Sequence, residues 1–299
     1  MRDIIIHEVG PRDGLQVEKQ VVPTEKKLGW IRSLIAAGVD IVQVGSFVHP
    51  EKVPQMADTD ELFRALGAEQ RPKTILSGLV LNEKGLERGL RCGVDMFCLG
   101  VSASETHSRK NTGMDCDEAQ RRIIATAKAA LAAGKKVQVS VQSAFGCGFE
   151  GRIAEERVLR IVRAYFDAGL KAISLADTAG HAYPEQVRRL FGAILALDSN
   201  VQCACHFHDT YGLGMANVYA ALELGVTSYE TSFAGLGGCP FTKVVAGNVA
   251  TEDFVHGLRR QGRRPDIDLD GLIGVARDVA AHFQREMPGR VHKVSPLTY

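Results

Sequence analysis

The segment HFHDTYG, residues 206–212, sets two histidines one residue apart and follows them at once with an aspartate. Side chains alternate across a strand, so His206 and His208 face one side and Phe207 the other, and both imidazoles can reach one ion. A lone histidine there is more often structural, whereas a pair at strand spacing favours a metal, for which neutral imidazole is the commonest side-chain ligand. Two further stretches carry compatible groups: EVGPRDG at 8–14 offers Arg12 and Asp13, and AGLGGCPFTKVVAGN at 234–248 offers Cys239 and Asn248. Two imidazole nitrogens, a carboxylate and an amide oxygen leave positions open for substrate or water. That set suits a six-coordinate divalent ion such as Mg2+ or Mn2+ better than a closed zinc site, although zinc is compatible with it. Taken singly, PRDG reads as a turn and GLGG as a flexible loop, so only their convergence makes a site.

Convergence is a demand on the fold. Short β-rich runs recur at 4–6, 41–44, 74–76, 96–99, 137–141, 172–175, 203–206 and 228–231. Amphipathic helical patterns lie between them, among them 24–37, 115–133, 154–167 and 184–197, several ending in a glycine suited to a helix C-cap. Repeated strand–helix units imply a parallel sheet. Eight of them predict an α/β fold of the (β/α)8 TIM-barrel type, with an open doubly wound sheet as the alternative. A last helical pattern from Asp268 to about Glu286 predicts an extra C-terminal helix packed on the barrel. The expected organisation is one domain over 1–299, with the barrel at about 3–262 and the helical extension at about 266–299. Active sites of such barrels lie at the C-terminal strand ends. The histidines end strand seven, Arg12 and Asp13 end strand one, and Cys239 with Asn248 follows strand eight; closure of the barrel makes these three strands neighbours.

Composition narrows the partners. Thirty-six basic against thirty-five acidic residues leave a net charge of +1, so no global field draws the chain to nucleic acid or anionic lipid, and a small-molecule substrate is expected. Seven cysteines without a CxxC pair argue against a disulfide framework and for a reducing, cytoplasmic setting. The start MRDIIIHEVG has no basic segment leading into a long apolar run, and no apolar stretch approaches the roughly eighteen residues of a spanning helix, so no export and no membrane association are expected.

With these residues in place the chain resembles a known family. EVGPRDGLQ (8–16), SFVHPEKVPQM (46–56), LADT (175–178), HFHDTYG (206–212), AGLGGCPF (234–241) and AGNVATED (246–253) are similar, in the same order, to 3-hydroxy-3-methylglutaryl-CoA (HMG-CoA) lyase. The RDG and HxH elements are shared with a wider group of metal-dependent barrel lyases and Claisen-type synthases, and GLGGCPF points to the lyase branch. The resemblance implies a metal held by Asp13, His206, His208 and Asn248. It implies that Arg12 supports charge on the thioester oxygen, that Asp13 and His206 help to move the hydroxyl proton, and that Cys239 takes part in proton transfer. It also implies substrate contacts from Gln16, Gln43, Ser46, Asp177 and Thr178 and an acyl-CoA substrate, while the C-terminal helix beyond the barrel predicts a homodimer or higher homo-oligomer. One departure stands out. Where the lyase commonly has a glutamate on the second strand, this chain has Gln43, which accepts and donates hydrogen bonds but cannot act as a base.

The chemistry fits these residue types. Cleaving a 3-hydroxyacyl-CoA between its second and third carbons removes a tertiary hydroxyl proton while a thioester enolate departs, and both developing charges need fixed positive groups. A thiol, with an ordinary pKa near 8.5, is a plausible acid for protonating the enolate carbon. No Walker or Rossmann glycine pattern marks a phosphate site, so CoA phosphates would meet scattered bases such as Arg109, Lys110, Arg290 and Lys293. A Claisen-type synthase and an acyl-CoA-binding protein without turnover are the alternative functions.

Overall fold

The computed structural model describes residues 4–69, 73–238 and 247–294; Cys239 lies outside the described residues. The eight expected strands are β1 (Ile5–Glu8), β2 (Ile41–Ser46), β3 (Ile75–Leu79), β4 (Met96–Ser102), β5 (Lys136–Gln142), β6 (Ala172–Asp177), β7 (Gln202–Phe207) and β8 (Ser228–Thr231). They pair in chain order as a closed parallel barrel, and β8 meets β1 in register from Ile5 against Ser228 to Glu8 against Thr231. Closure excludes the open doubly wound sheet. Between the strands run α1 (Thr24–Ala36), α2 (Thr59–Gly67), α3 (Glu83–Arg91), α4 (Glu105–Thr112), α5 (Cys116–Ala132), α6 (Glu155–Asp167), α7 (Pro184–Leu197), α8 (Gly214–Glu223) and α9 (Thr251–Arg260). The extra helix, α10 (Leu269–Phe283), packs on α1 and on the loop after β8.

Local chemistry starts several of these helices. Asp115 accepts the Glu118 amide at 2.8 Å ahead of α5, Ser104 the His107 amide at 3.1 Å ahead of α4, and Asp268 the Gly271 amide at 3.1 Å ahead of α10. Among the described residues, no helix is long and apolar enough to cross a membrane.

Two separate apolar regions result from the alternation of the strands. Outward side chains such as Val42, Leu76, Phe97, Val139, Ile173 and Phe207 pack against the helices in the main core. Inside the barrel lies a small apolar cluster of Ile41, Met96 and Cys98, with Ile5, Ile75 and Leu79 against it. One residue pair further along the strands the interior turns polar, with His7, Gln43, Ser77, Gln138, His206 and Glu230 all buried. His7 Nε2 and Ser77 Oγ are 2.9 Å apart. The N-terminal end is stitched by Arg264, which donates to the Ile4 carbonyl at 2.7 Å, to Asp40 at 2.6 Å and to Asp266 at 2.9 Å.

Candidate active site

Asp13 reaches the barrel mouth on a five-residue turn, Gly10–Gly14, directly after β1. The flanking glycines are required for space. A Cβ on Gly10 would lie 2.6 Å from Glu8 Oε1 and 2.8 Å from the Phe233 ring, and one on Gly14 would lie 2.8 Å from Ser232 Oγ. Below the turn, buried Glu8 accepts the amides of Gly10 (2.7 Å) and Phe233 (3.0 Å) and the Thr251 hydroxyl (2.6 Å), tying the turn to the loop after β8. Glu252 takes the Ala234 amide at 3.0 Å and lies 2.9 Å from His292 Nδ1. Ala234 sits at φ +55°, a region that non-glycine residues seldom adopt, and the Glu252 bond helps to hold it there.

His206 lies within β7 and His208 just past its end, where it forms an isolated antiparallel bridge with Asn248. The two Nε2 atoms are 3.1 Å apart, and Asp13 Oδ2 lies 3.7 Å from His206 and 3.8 Å from His208. Among the described residues this is the one group of three or more His, Cys, Asp or Glu whose ligand atoms all lie within 4.8 Å of one another. Of two facing imidazole nitrogens only one can donate a proton in the contact, whereas a cation can satisfy both and the carboxylate together. The residues present therefore fit a divalent metal. Asn248 adds an observation in the same sense: its Oδ1 is buried without a partner, while Nδ2 donates to Asp13 at 2.9 Å and to the Leu236 carbonyl at 3.0 Å. The sequence predicted the amide oxygen on the ion. Here the nitrogen faces Asp13, and a half-turn of the amide exchanges the two atoms, an arrangement that a shared cation favours.

The electrostatics separate these groups. Burial alone would raise Asp13, but Arg12 and the two imidazoles outweigh it and hold the carboxyl well below its usual range. Burial opposes a charge on His206, yet Glu230 and Asp13 overcome it and its pKa is raised; His208, for which burial wins, is lowered. Arg12 donates through Nη1 to Asp13 at 2.5 Å and through Nε to the Gln43 carbonyl oxygen. Gln43 thus supplies the acceptor that orients the guanidinium.

A cavity of about 280 Å3 opens over this group, lined in part by Arg12, Asp13, Gln16, Gln43, Thr178, His206 and His208. Two other expected substrate contacts are elsewhere. Ser46 is buried, with its amide donating to Thr59 Oγ1 at 3.2 Å, and Asp177 is buried and accepts the amides of His181 (2.8 Å) and Ala182 (3.2 Å), where it shapes the loop after β6. Neither lines the cavity. Of the scattered bases, Lys293 pairs with Glu286 at 2.9 Å and Lys110 stands 3.9 Å over the Phe149 ring. The sequence reasoning passed over Glu230, which lines the cavity, accepts from His206 Nδ1 at 3.0 Å and from Gln138 Nε2 at 2.5 Å, and is held down to about 2 because His206 outweighs its burial. The available signal was an acid in the short buried strand SYET, two residues from Ser228 on the same face.

Comparisons with known proteins show the family. The HMGL-like family matches residues 3–279. The chain is 36% identical over 289 residues to hydroxymethylglutaryl-CoA lyase YngG of Bacillus subtilis, covering 97% of this chain and 96% of that protein. It is also 36% identical over 286 residues to the 3-hydroxy-3-isohexenylglutaryl-CoA/hydroxy-methylglutaryl-CoA lyase of Pseudomonas aeruginosa, covering 96% and 95%. Among solved structures, the HMG-CoA lyase of Acinetobacter baumannii in complex with coenzyme A and 3-methylmalate superposes with a TM-score of 0.91 at 36% identity, over 99% of this chain and 98% of that one. Matches over nearly the whole length, on the fold described above, make this chain a member of the HMGL-like family.

Proposed function

We propose that the protein is a divalent-metal-dependent carbon–carbon lyase that cleaves HMG-CoA, or a close 3-hydroxy-3-alkyl relative, to acetyl-CoA and a keto acid, acetoacetate in the case of HMG-CoA. The observation that carries this reading is the meeting of Asp13, His206 and His208 beside Arg12 in one cavity at the barrel mouth. Asp13, His206, His208 and Asn248 are the proposed ligands. Two imidazoles, a carboxylate and an amide oxygen, with positions left for substrate or water, support Mg2+ or Mn2+.

When bound, a divalent ion supplies a fixed positive charge that lowers the pKa of a nearby hydroxyl and stabilises negative charge developing on it. The protein's own groups do the rest. Asp13 is the proposed group that passes on the hydroxyl proton, with His206 beside it as a ligand. Arg12, oriented by Gln43 and Asp13, presents its remaining N–H donors to the thioester oxygen as the enolate forms, a contribution worth on the order of 3 kcal/mol in comparable sites. Cys239, on the glycine-rich loop, is the proposed acid toward the enolate carbon. Gln16 and Thr178 are the proposed acyl contacts at the cavity wall.

The test is a mass-spectrometric assay with Mg2+ or Mn2+, HMG-CoA and longer 3-hydroxy-3-alkylglutaryl-CoA analogues, following acetyl-CoA and keto acid. Metal-dependent release from HMG-CoA or an analogue is expected. No cleavage of any of them, with condensation of acetyl-CoA and a 2-oxo acid instead, would replace the lyase by a synthase.

A further inference from the structure

The interior of a barrel of this type is usually filled by aliphatic side chains. Here one line of buried polar contacts crosses it to the histidine pair. Gln138 of β5 donates through Nε2 to Glu230 Oε1 at 2.5 Å, and Glu230 Oε2 lies 3.0 Å from His206 Nδ1. Glu230 and His206 stand directly opposite each other on the paired strands β8 and β7. All three side chains are buried.

A carboxylate only accepts hydrogen bonds, so the 3.0 Å contact requires the proton of His206 to sit on Nδ1. The lone pair is then left on Nε2, the atom that faces His208 and Asp13. His208 has no comparable support: its buried Nδ1 is directed toward the Thr178 carbonyl without a well-formed hydrogen bond. The two imidazoles that look equivalent in the sequence therefore differ in what stands behind them.

We propose that Glu230, braced by Gln138, is a positioning residue that locks His206 in the tautomer and ring orientation aiming Nε2 at the metal. His206 is then the fixed ligand and His208 the adaptable one. This rests on the reading of Asp13, His206 and His208 as a metal site, and it concerns how the site is built rather than which acyl group is cleaved. Partners of this kind behind a ligating histidine are typically worth about 10–100-fold in metal affinity.

The test combines Mn2+ titration by electron paramagnetic resonance at pH 8 with 15N spectra of the His206 ring in metal-free protein. Melting temperatures confirm that each variant folds. Glu230→Leu is expected to bind Mn2+ about 10–100-fold more weakly and to convert the His206 signals from the Nδ1–H form to a tautomer mixture. Glu230→Gln keeps a neutral acceptor and is expected to retain the tautomer with only a several-fold loss. If Glu230→Leu does not fold, Gln138→Leu carries the test, with weakened Mn2+ binding and broadened His206 signals expected. Wild-type protein that binds no Mn2+ would overturn the metal site itself. Wild type that binds, beside variants of equal affinity and unchanged tautomer, would overturn the role of Glu230 alone.

Discussion

Protons compete with a metal for imidazole nitrogens, and the two histidines meet that competition differently. Near pH 6.5, the ordinary imidazole value, His206 with its raised pKa still carries a proton, whereas His208 with its lowered pKa has already lost one. Asp13 stays ionised throughout, because its carboxyl is held well below its usual range. Metal entry near pH 6.5 therefore displaces one proton, and affinity rises with pH by about tenfold, or about 1.4 kcal/mol, per unit. Two unperturbed imidazoles would behave differently: their combined slope would climb from about 0.2 at pH 7.5 to about 1.8 at pH 5.5. Opposite shifts instead spread the change of slope over a wider pH span than two unperturbed imidazoles give, and the extra width measures how far apart the two pKa values lie. Mn2+ affinities at half-unit pH steps, with proton release counted by calorimetry in buffers of different ionisation heat, give the slope directly. A passage from near zero to near two as sharp as that of two unperturbed imidazoles would refute the assignment of opposite shifts.

Asp13→Ala and His208→Ala are each expected to lose both bound metal and turnover, measured by elemental analysis and by acetyl-CoA release; full metal content in either would remove that residue from the ligand set. Cys239→Ser is expected to keep metal binding and slow turnover, and an unchanged rate would end its role as the acid. Arg264→Leu removes the guanidinium that pairs with Asp40 near the barrel floor, and the loss of one partner of a buried pair costs about 3 kcal/mol, read as a lower urea midpoint at an unchanged slope. Gly100→Ala would place a Cβ 2.0 Å from Ser140 Oγ, so a destabilisation of about 1–3 kcal/mol is expected, partly relieved when Ser140→Ala is added; thermal melts of the single and double variants decide it.

The barrel was legible because its strands are buried runs such as IVQV and MFCLGV, rich in branched and aromatic side chains between helical stretches of clear period. The histidine pair was legible for the same geometric reason, since a spacing of two fixes a common side before anything is known of the fold. What the sequence could not carry was the content of the barrel interior. Gln138 and Ser140 alternate with valines exactly as solvent-facing residues of an antiparallel strand would, and only closure of the sheet turns their face inward. Glu230 was hidden in the same way. Asp177 belongs to a motif that the resemblance ties to substrate, yet its two oxygens are taken up by loop amides, a use of a carboxylate that leaves no periodic mark.

Barrel closure also sets a timetable for synthesis. Strand β1 leaves the ribosome before its partner β8, which follows only after roughly 220 further residues, about 10–45 s at usual elongation rates. Until then one side of β1 is an unpaired strand edge, open to wrong partners, and the nascent chain depends on the β1–β2 pairing and on whatever shields that edge. The proposed metal site shares this schedule, because Asn248 is made 235 residues after Asp13, so metal held by both can stabilise the protein only once translation has passed Asn248. Slow elongation or premature arrest between β2 and β8 should accordingly yield aggregation-prone material that added metal does not rescue.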